Sequence, residues 1–227
     1  IIESIRMKFN IYFWIKSLLA FLFLIFLLYI NHLNQMVRDE FSLNISPTEN
    51  VIQIHYPYDQ YSKDMVNMLL LVEDQSFFSH IGIDIKEILR VVYGYLFENK
   101  ELRGASTITQ QLIKNSLLSR DKTLTRKSEE VLMAILMELS YDKKFILERY
   151  MNTVYLAQKG SKAIHGFAAG SLHYFKKDIE NLDLREMAML VALLKGPSYY
   201  NPDNSTDRLS RRVKMILLMH KNYKRII

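Results

Sequence analysis

The chain has 227 residues, 49% of them apolar and 24% charged, enough for one sizeable folded unit with an appendage and too apolar for disorder. Thirty Lys and Arg against 24 Asp and Glu leave a net charge of +6, which suits nucleic acid, an acidic membrane surface or a phosphorylated substrate without choosing among them. With no Cys, a disulfide scaffold, a thiolate zinc site, an iron–sulfur cluster and a cysteine nucleophile are excluded, and seven Gly with four Pro speak against collagen-like or turn-dense all-β chains.

Residues 1–10 are expected to be a cytoplasmic N-terminus. Ile11 to Ile30 reads IYFWIKSLLAFLFLIFLLYI, with only Lys16 and Ser17 interrupting an apolar run of about the twenty residues a helix needs to cross a bilayer. Lys16 lies where its stem can carry the ammonium to the interface, and Trp14 and Tyr29 suit the two headgroup zones. Arg6, Lys8 and Lys16 precede or enter the span, whereas Arg38 is offset by Asp39 and Glu40, so the positive-inside rule places the remainder on the outer side. No small-x-small cleavage site follows, which favours an uncleaved anchor over a signal peptide. Residue 1 is Ile, so the natural start is expected upstream or at Met7. Residues 31–62, with Pro47, Pro57 and the alternating VIQIHY, read as an extended juxtamembrane linker.

Beyond the linker, apolar periodicity predicts a mainly α domain over residues 63–227, with helices at about 63–78, 84–97, 106–118, 125–140, 143–152, 163–175, 183–195 and 205–221 and few strands. Asp142 and Asp183 are expected N-caps, and Pro197 and Pro202 follow the penultimate helix. The segment ILRVVYGYLF at 88–97 is more apolar than a soluble helix needs; it either dips into the membrane interface or is an ordinary buried helix.

Three constellations carry chemistry. In the first, Glu73 shares a helical stripe with Val66, Leu69, Leu70 and Phe77, so its carboxylate is expected to be partly desolvated, a setting suited to a general acid or base; the alternative is a Glu at a helix end whose head reaches water. In the second, Thr107, Gln110, Gln111 and Lys114 recur at i, i+3, i+4 and i+7, giving a face of hydroxyl, amides and one cation that suits sugars and phosphates, or simply a solvated helix. In the third, Arg126 and Lys127 flank Glu130 on the side away from the core-facing Val131, Leu132, Ile135, Leu136 and Leu139. This is either an i,i+4 surface ion pair or a cationic cradle for a phosphate leaving group with an acid beside it.

Taken together, these segments resemble glycosyltransferase family 51, the peptidoglycan transglycosylases found as monofunctional enzymes and as the N-terminal half of bifunctional penicillin-binding proteins. Residues 73–84 fit Glu-Asp-x-x-Phe-x-x-His-x-Gly-x-Asp, residues 104–115 fit Gly-x-Ser-Thr-Ile-Thr-Gln-Gln-Leu-x-Lys-Asn, and residues 126–130 fit Arg-Lys-x-x-Glu. Ile146–Asn152, Gly166–Phe175 and Pro197–Pro202 with Arg211 and Arg212 look like later family motifs. The resemblance implies a lysozyme-like helical fold and polymerisation of lipid II into β-1,4-linked glycan strands, with inversion and release of undecaprenyl pyrophosphate. It implies Glu73 as general base and Glu130 as assisting departure of the pyrophosphate by stabilising its environment or a bound cation. It also implies a substrate-binding set of Asp74, Phe77, His80, Ser106, Thr107, Gln110, Gln111, Lys114, Asn115, Lys122, Arg126 and Lys127. No metal ligands are assigned; no cofactor is obligatory, although a divalent cation such as Mg or Mn is compatible. Lipid II, the growing strand, membrane lipid and other wall-synthesis and division proteins are the expected partners, and nucleic acid is not. The expected location is the bacterial inner membrane, single-pass, with the catalytic domain on the periplasmic or outer side.

Lys122 stands where many relatives carry Arg, Glu129 adds a carboxylate beside the phosphate site, Asp142 replaces a frequent Ser, and Lys162 to His165 replace a shorter Gly-x-x-Gly-Ile form. Ser140 to Lys143 fits a transpeptidase Ser-x-x-Lys box by accident, and no Lys-Thr-Gly box accompanies it, so the activity within this chain is read as monofunctional. The chain stops soon after its last motif and is equally compatible with the front part of a longer protein. Two other functions compete: a glycan hydrolase, disfavoured by cations with no pyrophosphate to neutralise, and a catalytically silent membrane scaffold, disfavoured by the full set of catalytic residues. A DNA-binding use of the basic run Arg208 to Arg225 conflicts with the outward topology; anionic lipid is its expected partner.

Overall fold

A computed structural model describes residues 2–42, 49–99, 104–119, 121–202, 206–223 and 226–227. Pro47, Arg225 and the side chains of Arg6 and Lys8 lie outside the described residues.

The first helix, α1 (Ile2–Ser42), is 41 residues long. By length and composition it could cross a membrane, its most apolar stretch having a mean hydropathy of 2.4. Its apolar residues from Tyr12 to Leu28 are exposed, whereas Leu33, Val37 and Phe41 are buried. The extended linker expected over 31–62 is therefore helical as far as Ser42. The reason is spacing: Leu33, Val37 and Phe41 recur every fourth residue and form one stripe that packs against the helical domain. The second half of that linker holds a strand, β1 (Val51–Gln53).

Next comes α2 (Lys63–Glu73), in which every residue from Met65 to Leu71 is buried, as befits a helix that is apolar all round. It ends at Glu73, short of the expected residue 78, and Phe77–Ser79 form a separate 3₁₀ turn. The α3 helix (Ile85–Phe97) is capped by Asp84, which accepts from the Glu87 amide. Only Gly94 is buried in it, while Leu89, Tyr93, Leu96 and Phe97 are exposed, so α3 is not the ordinary buried helix.

The α4 helix (Ile108–Leu117) starts with a capping box from Thr107 and Gln110. It packs on α5 (Leu124–Ser140) and on α6 (Lys143–Thr153), whose expected cap Asp142 accepts from the Phe145 amide at 2.8 Å. After α6 the chain forms a hairpin of β2 (Tyr155–Lys159) and β3 (Lys162–His165), where a helix was expected from residue 163. The sheet order is β1-β3-β2, with β1 parallel and β2 antiparallel to β3. Ile52, Ala157, Ile164 and Ala169 form a small apolar cluster under it.

The remaining helices are α7 (Phe167–Phe175), α8 (Leu184–Leu193) with its Asp183–Glu186 capping box, and α9 (Thr206–Asn222). α8 and α9 pack on each other and on α2, so α2 lies centrally between this pair and α4. The mainly α architecture agrees with the expectation; the three-stranded sheet adds to it.

Candidate active site

The end of α2 is held by a buried polar frame. Asp74 turns out of the helix, and one carboxylate oxygen accepts from the Ile108 amide at 2.9 Å, at the first turn of α4. The same carboxylate meets His80 Nε2 at 3.0 and 3.1 Å, and His80 Nδ1 accepts from the Gly82 amide at 3.2 Å. Accepting at Nδ1 leaves the proton on Nε2, where it is donated to Asp74. Beneath them Glu138 accepts from the Thr109 hydroxyl at 2.6 Å and pairs with Lys143, which donates to the His80 carbonyl at 2.8 Å and sits 4.4 Å from the centre of the Phe77 ring.

Asp74, Phe77 and His80, expected to bind substrate, are thus buried and bonded within the protein; they fix the turn that presents Glu73. Gly82 lets this turn lie against α5. Its φ is +88°, and a Cβ there would stand 2.6 Å from the Ala134 carbonyl carbon and oxygen.

Glu73 itself is half-buried, as its stripe position implied. Its Oε2 accepts from Gln111 Nε2 at 3.1 Å, and Gln111 Oε1 accepts from the Tyr150 hydroxyl at 3.0 Å. Burial pushes the Tyr150 phenol far above its ordinary range, and the charges of Glu73 and Asp74 add to this, so it remains a neutral donor.

The polar face expected on α4 divides three ways. Thr107 and Gln110 are buried in the capping box, where Thr107 also donates to the Gly82 carbonyl at 2.6 Å; the Thr107 hydroxyl and the Gln110 Oε1 are engaged inside the protein. Gln111 serves Glu73. Lys114 and Asn115 are exposed and have no bonded partner among the described residues. Lys122 is likewise exposed and is not drawn into the cluster that follows.

That cluster is built on α5. Glu130 was expected on the side away from the core, yet it is only 2% exposed, on a helix packed against both α1 and α4. Its Oε2 accepts from Arg126 at 2.8 Å, its Oε1 pairs with Lys127, and Lys127 also donates to Ser106 Oγ at 3.1 Å. Two cations against one carboxylate leave an excess of one positive charge. Both oxygens of Glu130 are taken, and no group of three or more His, Asp or Glu among the described residues is arranged to hold a metal.

Beyond Arg126 lies a cavity of about 440 Å³ between α1, the end of α4 and α5, with Tyr29, His32, Leu118 and Glu129 in its wall. The Tyr29 hydroxyl donates to Glu129 at 3.3 Å, so the added carboxylate at 129 faces α1. Tyr150, Glu138, Lys143 and Tyr29 were missed by sequence reasoning. A phenol among the buried Ile146, Leu147 and Met151 was a usable signal for Tyr150, since a buried tyrosine hydroxyl needs a partner. The other three are defined by contacts across 29 to 100 residues of chain, which no local pattern reports.

Comparison with known proteins adds independent findings. The family described as transglycosylase matches residues 42–221. Penicillin-binding protein 1B of Haemophilus influenzae is 41% identical over 177 residues, which is 77% of this chain and 23% of that protein. Penicillin-binding protein 1B of Escherichia coli is 40% identical over 178 residues, 78% of this chain and 21% of that protein. Penicillin-binding protein 1A of Neisseria gonorrhoeae is 43% identical over 151 residues, 66% of this chain and 18% of that protein. The chain spans about a fifth of the length of these relatives.

Proposed function

We propose, from the premise that this chain belongs to the transglycosylase family, that it is a peptidoglycan glycosyltransferase of cell wall synthesis polymerising lipid II. The observation that carries the proposal is that two carboxylate centres are tied to one short stretch at the start of α4: Lys127 of the Glu130 cluster bonds Ser106, just ahead of the Thr107 cap, and Glu73 bonds Gln111 within the helix. From Thr107 to Gln111 the helix rises only about 6 Å. A base and a cationic leaving-group site therefore meet at one capped helix start, the kind of fixed spacing that transfer between two sugars needs.

In this reading Glu73 takes the proton from the acceptor's 4-hydroxyl as that oxygen attacks the anomeric carbon of the lipid-linked donor, inverting the linkage. A positioned base of this kind is worth roughly 10² to 10⁴ in rate. Arg126 and Lys127, joined by the exposed Lys114 and Lys122, neutralise the charge that develops on the departing pyrophosphate. Glu130 aims the two α5 cations; the excess of positive charge keeps the site attractive to phosphate. A divalent ion at this site would compete with Arg126 and Lys127 for the Glu130 oxygens.

The cavity beside Arg126 leaves room for the lipid-linked end of the donor next to the anchor. We place the domain on the outer face of the cytoplasmic membrane, single-pass, with the exposed apolar side of α3 at the interface. Wall-synthesis and division proteins are its proposed partners.

The test is polymerisation of labelled lipid II by the detergent-solubilised protein and by Glu73→Gln, with glycan products resolved by size. A ladder that vanishes in the variant supports the transferase and its base together. A ladder that survives in Glu73→Gln removes the assignment of Glu73. No polymer from either, under conditions where a known transglycosylase works, favours the silent scaffold.

A further inference from the structure

The contact between Gln111 and Glu73 poses a question of orientation. A carboxamide has one accepting and one donating end, and an ionised carboxylate only accepts, so Glu73 is served by Gln111 only when Nε2 faces it. A half-buried glutamine with nothing at its other end rotates easily between the two arrangements. Here the other end is fixed: the Tyr150 hydroxyl, on a side chain only 1% exposed, donates to Oε1 at 3.0 Å. Neutral phenol as donor and carboxylate as acceptor allow a single direction for the chain of bonds, from Tyr150 through Gln111 to Glu73.

We propose that Tyr150 is a positioning residue for the general base: by holding the Gln111 amide one way round, it keeps a donor on Glu73 Oε2 and leaves Oε1 as the oxygen free to take the acceptor's proton. Tyr150 touches neither substrate nor reacting atoms; it acts through Gln111. The inference rests on the transferase reading above, since it assigns a role toward the base of that reaction.

Burial supports it, because desolvation keeps the phenol protonated throughout the range in which the enzyme would work. A second tyrosine supplies an internal comparison. Tyr61 is 6% exposed and its hydroxyl is buried without a hydrogen-bond partner among the described residues, so Tyr61→Phe removes the same atom with no relay attached.

The experiment measures polymerisation rate against lipid II concentration and pH for the full chain, Tyr150→Phe, Gln111→Met, the double variant and Tyr61→Phe. Tyr150→Phe keeps the ring in the core, and Gln111→Met interrupts the relay from its middle, so the two perturb the fold differently. For Tyr150→Phe the expected result is a fall in kcat of about tenfold, the worth of one hydrogen bond to a charged group, with KM within about twofold. The acid limb of the pH–rate profile moves to higher pH in both single variants, because loss of a donor disfavours the ionised carboxylate. In the Gln111→Met background Tyr150→Phe costs nothing more, since the relay is already broken. Tyr61→Phe keeps the original rate and profile.

Unchanged kcat and pH profile in Tyr150→Phe, or additive effects in the double variant, overturn the proposal while wild-type polymerisation stands. Should Tyr150→Phe fail to fold, an unshifted acid limb in Gln111→Met overturns it alone. A wild-type chain that makes no polymer overturns the transferase reading and this inference with it.

Discussion

Replacing Glu130 with Gln tests the cationic cluster from its centre. The carboxylate is 2% exposed and each oxygen holds one cation, Arg126 at 2.8 Å on Oε2 and Lys127 on Oε1. An amide of the same shape keeps one acceptor and turns its NH₂ toward the other cation. One hydrogen bond between charged groups, worth about 1.5–3 kcal/mol, is lost, and a donor-to-donor contact replaces it, for a total near 2–4 kcal/mol. At roughly 2–4 °C per kcal/mol for a chain of this size, the melting midpoint falls by about 5–15 °C. The cations also lose their aim, and mispositioned donors at a developing charge cost on the order of 10²-fold in rate. The assay pairs a thermal melt by circular dichroism with lipid II polymerisation well below both midpoints, so that the slowed rate is not unfolding. A midpoint and a rate that both match wild type would refute the cluster as described. A lowered midpoint with an unchanged rate would refute its part in leaving-group departure and leave a structural ion pair.

Two further outcomes follow from the frame around the site. Gly82→Ala meets both a φ of +88° and the Ala134 carbonyl at 2.6 Å, so it should destabilise by about 2–4 kcal/mol in thermal unfolding and lower activity through the His80 turn; unaltered stability would refute the close approach of this turn to α5. Tyr56 donates to Glu180 at 2.8 Å, and burial first, then the Glu180 bond and charge and the Asp178 charge, push its phenol up to about 12 from 10.0. A group raised on folding stabilises fully below its unfolded value and loses that contribution as pH rises through the folded one. Wild-type stability should therefore fall more steeply than that of Tyr56→Phe between pH 10 and 12, in chemical denaturation at stepped pH; parallel curves would refute it.

The sequence made the helices and the Arg126–Glu130 pair legible because both are local. Apolar residues at helical spacing announced α2, α5 and α8, and an i,i+4 ion pair is a property of one helix. Thr107 and Gln110 carried a capping-box pattern as well as a polar-face pattern; the buried start of α4 selected the first. The alternation that holds β1 was read as extended linker, because its pairing partner β3 is distant in sequence, and the β2–β3 hairpin escaped notice because five and four residues are too few for alternation to stand out. Helix α1 was truncated in the reading because Leu33, Val37 and Phe41 are separated by Asn, Gln, Arg, Asp and Glu, which lower average apolarity without disturbing the stripe. Glu73 and Glu130 were both recognisable as carboxylates in unusual company. What held them could not be read, since Asp74 to Ile108, Gln111 to Tyr150 and Lys127 to Ser106 are tertiary bonds.

The continuity of α1 bears on how a transferase of this kind meets its substrate. Under the proposed function the donor's lipid tail stays in the bilayer, so the height of the site above the membrane decides whether the sugar reaches Glu73. A flexible linker would let the domain sample many heights. Instead the helix runs on from its exposed apolar stretch and docks through Leu33, Val37 and Phe41, and Arg149 closes the contact by donating to the Phe41 carbonyl at 3.1 Å. From Tyr29 to Phe41 is about 18 Å of helix, a fixed spacer. One docked helix sets height but leaves rotation about its own axis open. Under the same proposal the exposed apolar residues of α3 would supply a second contact with the interface, and two contacts would define an orientation. Tyr29 of α1 bonds Glu129 at the rim of the cavity beside Arg126, so under that proposal the element that would hold the enzyme in the membrane also walls the space where a lipid-linked pyrophosphate would sit.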